Sequence, residues 1–223
     1  MKVKDDTNWV QDLKEVIVLS FGEELGNSVS HGVAAVALII SLPYVGIKTY
    51  LDGGTTYATV ASIFVVSLIL MYLGSTIYHI MAHNTLHKAV MRKIDHSMIF
   101  VAIAGSYTPI AFMALDDPWS YITVIVQWLI AVYGIVYKSI VTKGSHKLSL
   151  LIYLTMGWMA IFLMPMIIMN TSLIFVLFIV LGGLGYTIGA IFYAQKKPWF
   201  HFIWHLFIVF ASICHFIAIV FYL

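Results

Sequence analysis

The sequence predicts an all-α, multi-pass membrane protein of seven transmembrane helices, and three observations predict it. Of 223 residues, 61% are hydrophobic and 10% charged, too little charge to clothe a soluble domain of this length. The mean hydropathy is +0.96. The apolar residues also fall in blocks of about 20, each long enough at about 1.5 Å per residue to cross roughly 30 Å of hydrocarbon. Such blocks argue against a β-barrel, whose strands alternate apolar and polar residues over about 10 positions. The formal charge of +2 gives no reason to expect nucleic acid as a partner. Cys214, the single cysteine, lies inside an apolar segment and permits neither an intramolecular disulfide nor a Cys-based zinc site.

Taken in order, the chain opens with a mixed segment. Residues 1–26 hold Lys2, Lys4, Asp5, Asp6, Asp12, Lys14, Glu23 and Glu24, without the apolar core and cleavage site of a secretory signal. Trp9, Val10, Leu13, Val16 and Ile17 fall at helical spacing, with Gln11, Asp12, Lys14 and Glu15 on the other face. That pattern suits a short helix in the interface plane, and equally one folded onto the bundle. Residues 1–26 are expected to be cytoplasmic, and 27–223 to form one membrane domain.

Seven spans follow, at roughly 28–51, 57–80, 96–115, 118–137, 149–169, 172–194 and 202–222. Short connections make neighbouring spans antiparallel. Gly182, Gly183, Gly185 and Gly189 on the sixth span suit close helix approach. Pro109 and Pro165 are expected to kink or loosen the third and fifth. Trp119, Tyr121, Trp199 and Tyr222 stand near span ends, where amphipathic rings anchor.

Orientation follows from Lys and Arg. Lys2, Lys4 and Lys14 precede the first span; Lys88, Arg92 and Lys93 follow the second; Lys138, Lys143 and Lys147 follow the fourth; Lys196 and Lys197 follow the sixth. The opposite side has only Lys48, beside Asp52, and the acidic pair Asp116 and Asp117. The balance, 11 basic residues against 1, predicts a cytoplasmic N-terminus and an outward C-terminus in the cell's inner or plasma membrane.

With orientation set, polar residues can be placed by depth. His79 ends the second span, Asp95 and His96 open the third, and His201 and His205 open the seventh, all at the cytoplasmic level. Ionisable groups inside a bilayer are expensive, so their convergence marks a functional site. The i,i+4 spacing of His201 and His205 puts both imidazoles on one helix face. His79 supplies a third from another helix. Three ligands leave a tetrahedral position for water, the catalytic rather than the structural zinc pattern. Zinc brings the pKa of a bound water to about 7. Asp95 can orient or deprotonate that water, and Ser75, one turn before His79, can hydrogen-bond nearby. The alternative is a set of core histidines bonded to backbone carbonyls, with Asp95 paired to Lys93 or Arg92.

The other histidines are weaker candidates. His83 and His87 continue the i,i+4 series but lie beyond the apolar block. His31 opens the first span and either lines the site or caps a helix. His215 lies about 15 Å deeper than His205 by helix rise, and His146 sits in a basic loop.

At these residues the sequence resembles a known family. Glu24-Leu-Gly-Asn-Ser-Val-Ser-His31, Ser75-Thr-Ile-Tyr-His79, Lys93-Ile-Asp95, Gly105-Ser-Tyr-Thr-Pro109 and His201-Phe-Ile-Trp-His205 resemble the progestin and adipoQ receptor (PAQR) family. The bacterial haemolysin III branch is the nearest match, and the likeness runs in order from about residue 20. The resemblance implies seven helices with a cytoplasmic N-terminus. It also implies Zn²⁺ held by His79, His201 and His205, with Asp95 close to the metal's water. Adiponectin receptors have ceramide-hydrolysing activity and belong with alkaline ceramidases to a wider group of membrane hydrolases sharing the Ser, Asp and three-His set. The chain has neither the long N-terminal region nor the C-terminal tail of the animal receptors, so reception of a protein ligand is not expected.

Three functions stay open at this point. One is zinc-dependent hydrolysis of a lipid amide or ester, ceramidase-like, with Asp95 and Ser75 as catalytic residues. Another is a non-enzymatic membrane lipid sensor or regulator, or a receptor-like protein, with structural zinc and a lipid ligand. The last is a pore-forming haemolysin, which the absence of an export signal supports poorly.

Overall fold

A computed structural model of the chain describes residues 18–141 and 145–223, with the side chains of 145–147 outside the description. The amphipathic helix expected around 9–17 lies outside these residues, as do Lys2, Lys4, Lys14, Lys143 and the side chains of His146 and Lys147.

Among the described residues the fold is all-helical, and six helical stretches are long and apolar enough to cross a membrane. The first, α1, runs Phe21–Ile80. Its start is fixed by a capping box: Glu23 N–H donates to Ser20 Oγ at 3.3 Å and Ser20 N–H to Glu23 Oε2 at 3.0 Å. Its 60 residues do not form one rod. Gly53 and Gly54 leave helical geometry, and Gly54 takes φ 73°, a left-handed backbone that glycine adopts without a Cβ penalty. The two limbs lie side by side, with Ser28 Oγ donating to the Thr76 carbonyl at 3.4 Å and Gly32 against the Thr76 side chain.

Helix α2 spans Leu86–Ala114 and is capped by Thr85, whose hydroxyl accepts from Lys88 N–H at 3.2 Å. It begins about ten residues before the span read from hydropathy. Lys88, Arg92 and Lys93, expected in a loop, lie on its opening turns, and Lys88 and Arg92 are buried. Hydropathy marks where a helix can meet lipid, whereas helical hydrogen bonding continues wherever a face finds cover.

The remaining helices are α3 (Trp119–Ile140), α4 (Ser145–Trp158), α5 (Ala160–Asn170), α6 (Leu173–Ala194) and α7 (Phe200–Phe221). Helices α4 and α5 form one crossing, Leu148–Asn170, interrupted at Met159. Pro165 lies in α5, shortly after that break. Tyr107 of α2 spans the break: its hydroxyl donates to the Gly157 carbonyl at 2.6 Å and accepts from Ala160 N–H at 2.7 Å. Helix α2 itself remains helical through Pro109.

Packing follows the glycines on α6. A Cβ at Gly182 would meet the His215 ring, at Gly185 Phe210 and Ala211, and at Gly189 Phe207 and Trp204, all on α7. Gly183 differs from the other three; a Cβ there meets nothing within 4 Å. The exterior is apolar, with Leu51, Phe162, Met169 and Leu173 exposed, while Glu24, Lys88, Arg92, Asp95 and Lys138 are buried. This inversion suits a solvent of lipid, where apolar surface costs nothing outside and charge must find partners within.

Candidate metal centre

Helix α1 carries His79 in its last turn, and α7 carries His201 and His205 in its first turns. Contact between α1 and α7 brings the three rings together, with centroids 4.8 Å apart for His79–His205, 4.9 Å for His201–His205 and 5.3 Å for His79–His201. Potential ligand atoms from the three lie within 4.8 Å of one another, and this set can hold a metal ion. His79 and His205 are buried and His201 is half-buried. Neither ring nitrogen of His205 has a hydrogen-bond partner, and His79 Nε2 has none either. Buried polar atoms are normally satisfied. Orphaned nitrogens converging on one point therefore fit a cation better than a set of core histidines bonded to carbonyls.

The donor chemistry can be tested further. Three imidazoles without a thiolate suit zinc and its neighbours among borderline metals. Tetrahedral zinc at about 2.0–2.1 Å from each nitrogen needs ligand atoms about 3.3 Å apart. The set here lies within 4.8 Å, a looser spacing that a bound metal would have to draw in.

Each histidine-bearing segment is tied down by a glutamate of α1. Glu23 accepts from the backbone N–H of Trp199 at 2.5 Å, just ahead of His201. Glu24 accepts from His79 Nδ1 at 2.6 Å and from Lys88 Nζ at 2.6 Å. His83 Nε2 stands 3.3 Å from the same carboxylate. The Asn27 amide is a neighbour rather than a partner of His79, at 3.5 Å from Nδ1. The sequence pattern assigned Glu24 no role. Its only trace was the position of Glu24 at the head of a motif.

Asp95 is buried at the same end of the bundle, with His79, Arg92 and Lys138 within electrostatic reach and Ser75 beside it. Asp95 and Ser75 line a cavity of about 200 Å³ that runs past Tyr193 and Tyr186 to His215 and is mostly apolar. A second cavity, about 430 Å³, reaches Glu24 and His79 from the side of the exposed residues Phe21 and Ile80.

The other histidines separate by their partners. His96 is not in the cluster: Nδ1 donates to the Arg92 carbonyl at 2.7 Å and Nε2 meets the Tyr193 hydroxyl at 3.0 Å. His31 lines the cavity with its ring 3.9 Å from that of His205, and neither of its nitrogens has a partner. His215 lies at the far end, its Nε2 3.4 Å from the Ile179 carbonyl. His83 is half-buried and His87 exposed.

A helical bundle with lipid-facing apolar walls, buried charges and a histidine cluster between helices defines an integral membrane protein with a candidate intramembrane metal centre. Residues 19–216 match the model of the Haemolysin-III related family, and the chain belongs to that family. It is similar to the Hemolysin-3 homolog of Bacillus subtilis, 35% identical over 201 residues covering 90% of this chain and 94% of the relative. It is also similar to Hemolysin-3 of Bacillus cereus, at 32% over 201 residues, 90% of this chain and 91% of the relative. Human Monocyte to macrophage differentiation factor is 30% identical over 168 residues, covering 71% and 68% of the two chains. The resemblance read from the five motifs is thus met at family level.

Proposed function

We propose that this protein is a zinc-dependent membrane hydrolase that cleaves a lipid amide or ester, ceramidase-like, at the cytoplasmic level of the cell membrane. The reading rests on one observation: three imidazoles able to share a metal ion lie near Asp95 and Ser75, which themselves line a mostly apolar cavity. His79, His201 and His205 would hold the metal. When bound, zinc supplies a Lewis acid and makes hydroxide available near neutral pH. Asp95 accepts the proton given up by the attacking water and returns it to the leaving nitrogen or oxygen. Ser75 offers a hydroxyl beside it to hold Asp95 or the substrate carbonyl. The apolar cavity wall excludes water and takes the acyl chain. Two limbs of α1 parted at Gly54, with the five later crossings, give seven spans; the N-terminus is then cytoplasmic and the C-terminus outside by the lysine and arginine balance.

A second reading, a membrane regulator pinned by structural zinc, is favoured by the position of His31. An imidazole 3.9 Å from His205 can close a fourth position, and a closed sphere is the structural pattern. Metal content separates these readings from none at all. Mass spectrometry on detergent-purified protein is expected to find about one zinc per chain, lost in His205→Ala. No zinc in either protein after supplementation removes both readings. X-ray absorption on the loaded protein, through the outer-shell scattering of the rings, then distinguishes three imidazoles, as for a hydrolase, from four.

A further inference from the structure

The three ligands meet their surroundings unequally. His205 has no hydrogen-bond partner at either nitrogen, whereas His79 makes a 2.6 Å contact from Nδ1 to Glu24 Oε2. A carboxylate oxygen can only accept, so the proton of this bond sits on Nδ1. The lone pair of the neutral ring is then on Nε2, the atom left without a partner in the protein. The free tautomer is the one that can ligate.

Glu24 is itself held. Its Oε1 accepts from Lys88 Nζ at 2.6 Å, and the same ammonium donates to the Met81 carbonyl at 3.0 Å. Lys88 is 0% exposed and Glu24 7%. The link joins the first turn of α1, the last turn of α1 and the first turn of α2. A lysine with no water around it has no role as a surface charge; it fixes one oxygen of Glu24 so that the other meets His79.

We propose that Glu24, anchored by Lys88, is the positioning residue of the metal site: it holds His79 in the Nδ1–H tautomer, aims Nε2 at the ion and raises the basicity of the ring. The inference rests on the metal-site reading above. Carboxylates behind ligating imidazoles act in this way, and losing one costs about 10–100-fold in metal affinity.

The test titrates purified full-length protein with zinc against a chromogenic chelator, and with Co²⁺ followed by its visible absorption. Glu24→Gln keeps the shape but loses the charge, and is expected to bind zinc about 10–100-fold more weakly, with Glu24→Asp recovering part of the loss. Because Glu24→Gln strands Lys88 as a buried cation, Glu24→Gln/Lys88→Met is measured beside it; it removes both charges and is expected to show the same loss while melting as a folded protein. Wild-type zinc affinity and an unchanged cobalt spectrum in the folded double variant overturn the role of Glu24. Independently of any variant, nitrogen-15 NMR of the metal-free wild type is expected to show the His79 proton on Nδ1, and a proton on Nε2 overturns the proposal. Failure of the wild type to take up either metal overturns the metal-site reading instead.

Discussion

His205 is fully buried, with neither ring nitrogen bonded to protein, while His96 a short distance away is bonded at both. These two residues divide the buried histidines into one kind unbonded by protein and one bonded at both nitrogens. His96→Gln is accordingly expected to lower the melting temperature and leave zinc content unchanged, read by thermal unfolding beside metal analysis. Asp95→Asn keeps the size of the side chain but cannot take a proton; metal is expected to stay while hydrolysis of a fluorescent lipid amide falls about 10²–10⁴-fold. Near wild-type turnover would exclude Asp95 as the base. Hydropathy and charge counting sufficed to bring His79, His201 and His205 to one depth, because depth is a one-dimensional property. The link from Glu24 to His79 was not legible, since it joins residues 55 apart through a turn at Gly54. Lys88 was misread as a loop cation for the same reason: its partner lies 64 residues away.

At the level of the element, the crossing Leu148–Asn170 holds together across its break through one hydroxyl. Tyr107→Phe deprives the Gly157 carbonyl and Ala160 N–H of their partner at once. Leaving a buried polar group unsatisfied costs about 1–3 kcal/mol, so detergent-purified Tyr107→Phe is expected to melt several degrees lower with zinc retained. The α6–α7 contact offers a matched pair. Gly189→Val drives a side chain into Phe207 and Trp204, where overpacking costs about 1–3 kcal/mol. Gly183→Ala enters open space and is expected to melt like the wild type. Equal melting of the two variants would show that α6 and α7 do not depend on this approach. Spacings of three and four put Gly182, Gly185 and Gly189 on one face and leave Gly183 off it, but the sequence did not show which neighbouring helix that face meets. It likewise located the spans but not the early start of α2, where polar residues continue the helix under cover.

For the whole molecule, the orientation argued from 11 basic residues against 1 is open to direct measurement. A reporter active only in the cytoplasm is expected to work at the N-terminus and fail at the C-terminus, and a reporter active only outside should do the reverse. Both termini on one side would mean that α1 does not turn back across the bilayer. The protein is also unevenly packed. The helices bearing the histidines and Asp95 are deeply packed, with 67% of the apolar window of α2 buried, whereas the Leu148–Asn170 crossing has 17% of its window buried. That crossing lines one wall of the cavity and leans on its neighbours through few contacts. Under the hydrolase reading, the acyl chains of the host bilayer press directly on this cavity wall and not on the histidine cluster. Reconstituted into vesicles of increasing chain order, the protein should lose turnover steadily while holding its metal, a dependence on membrane fluidity with no receptor needed to read it.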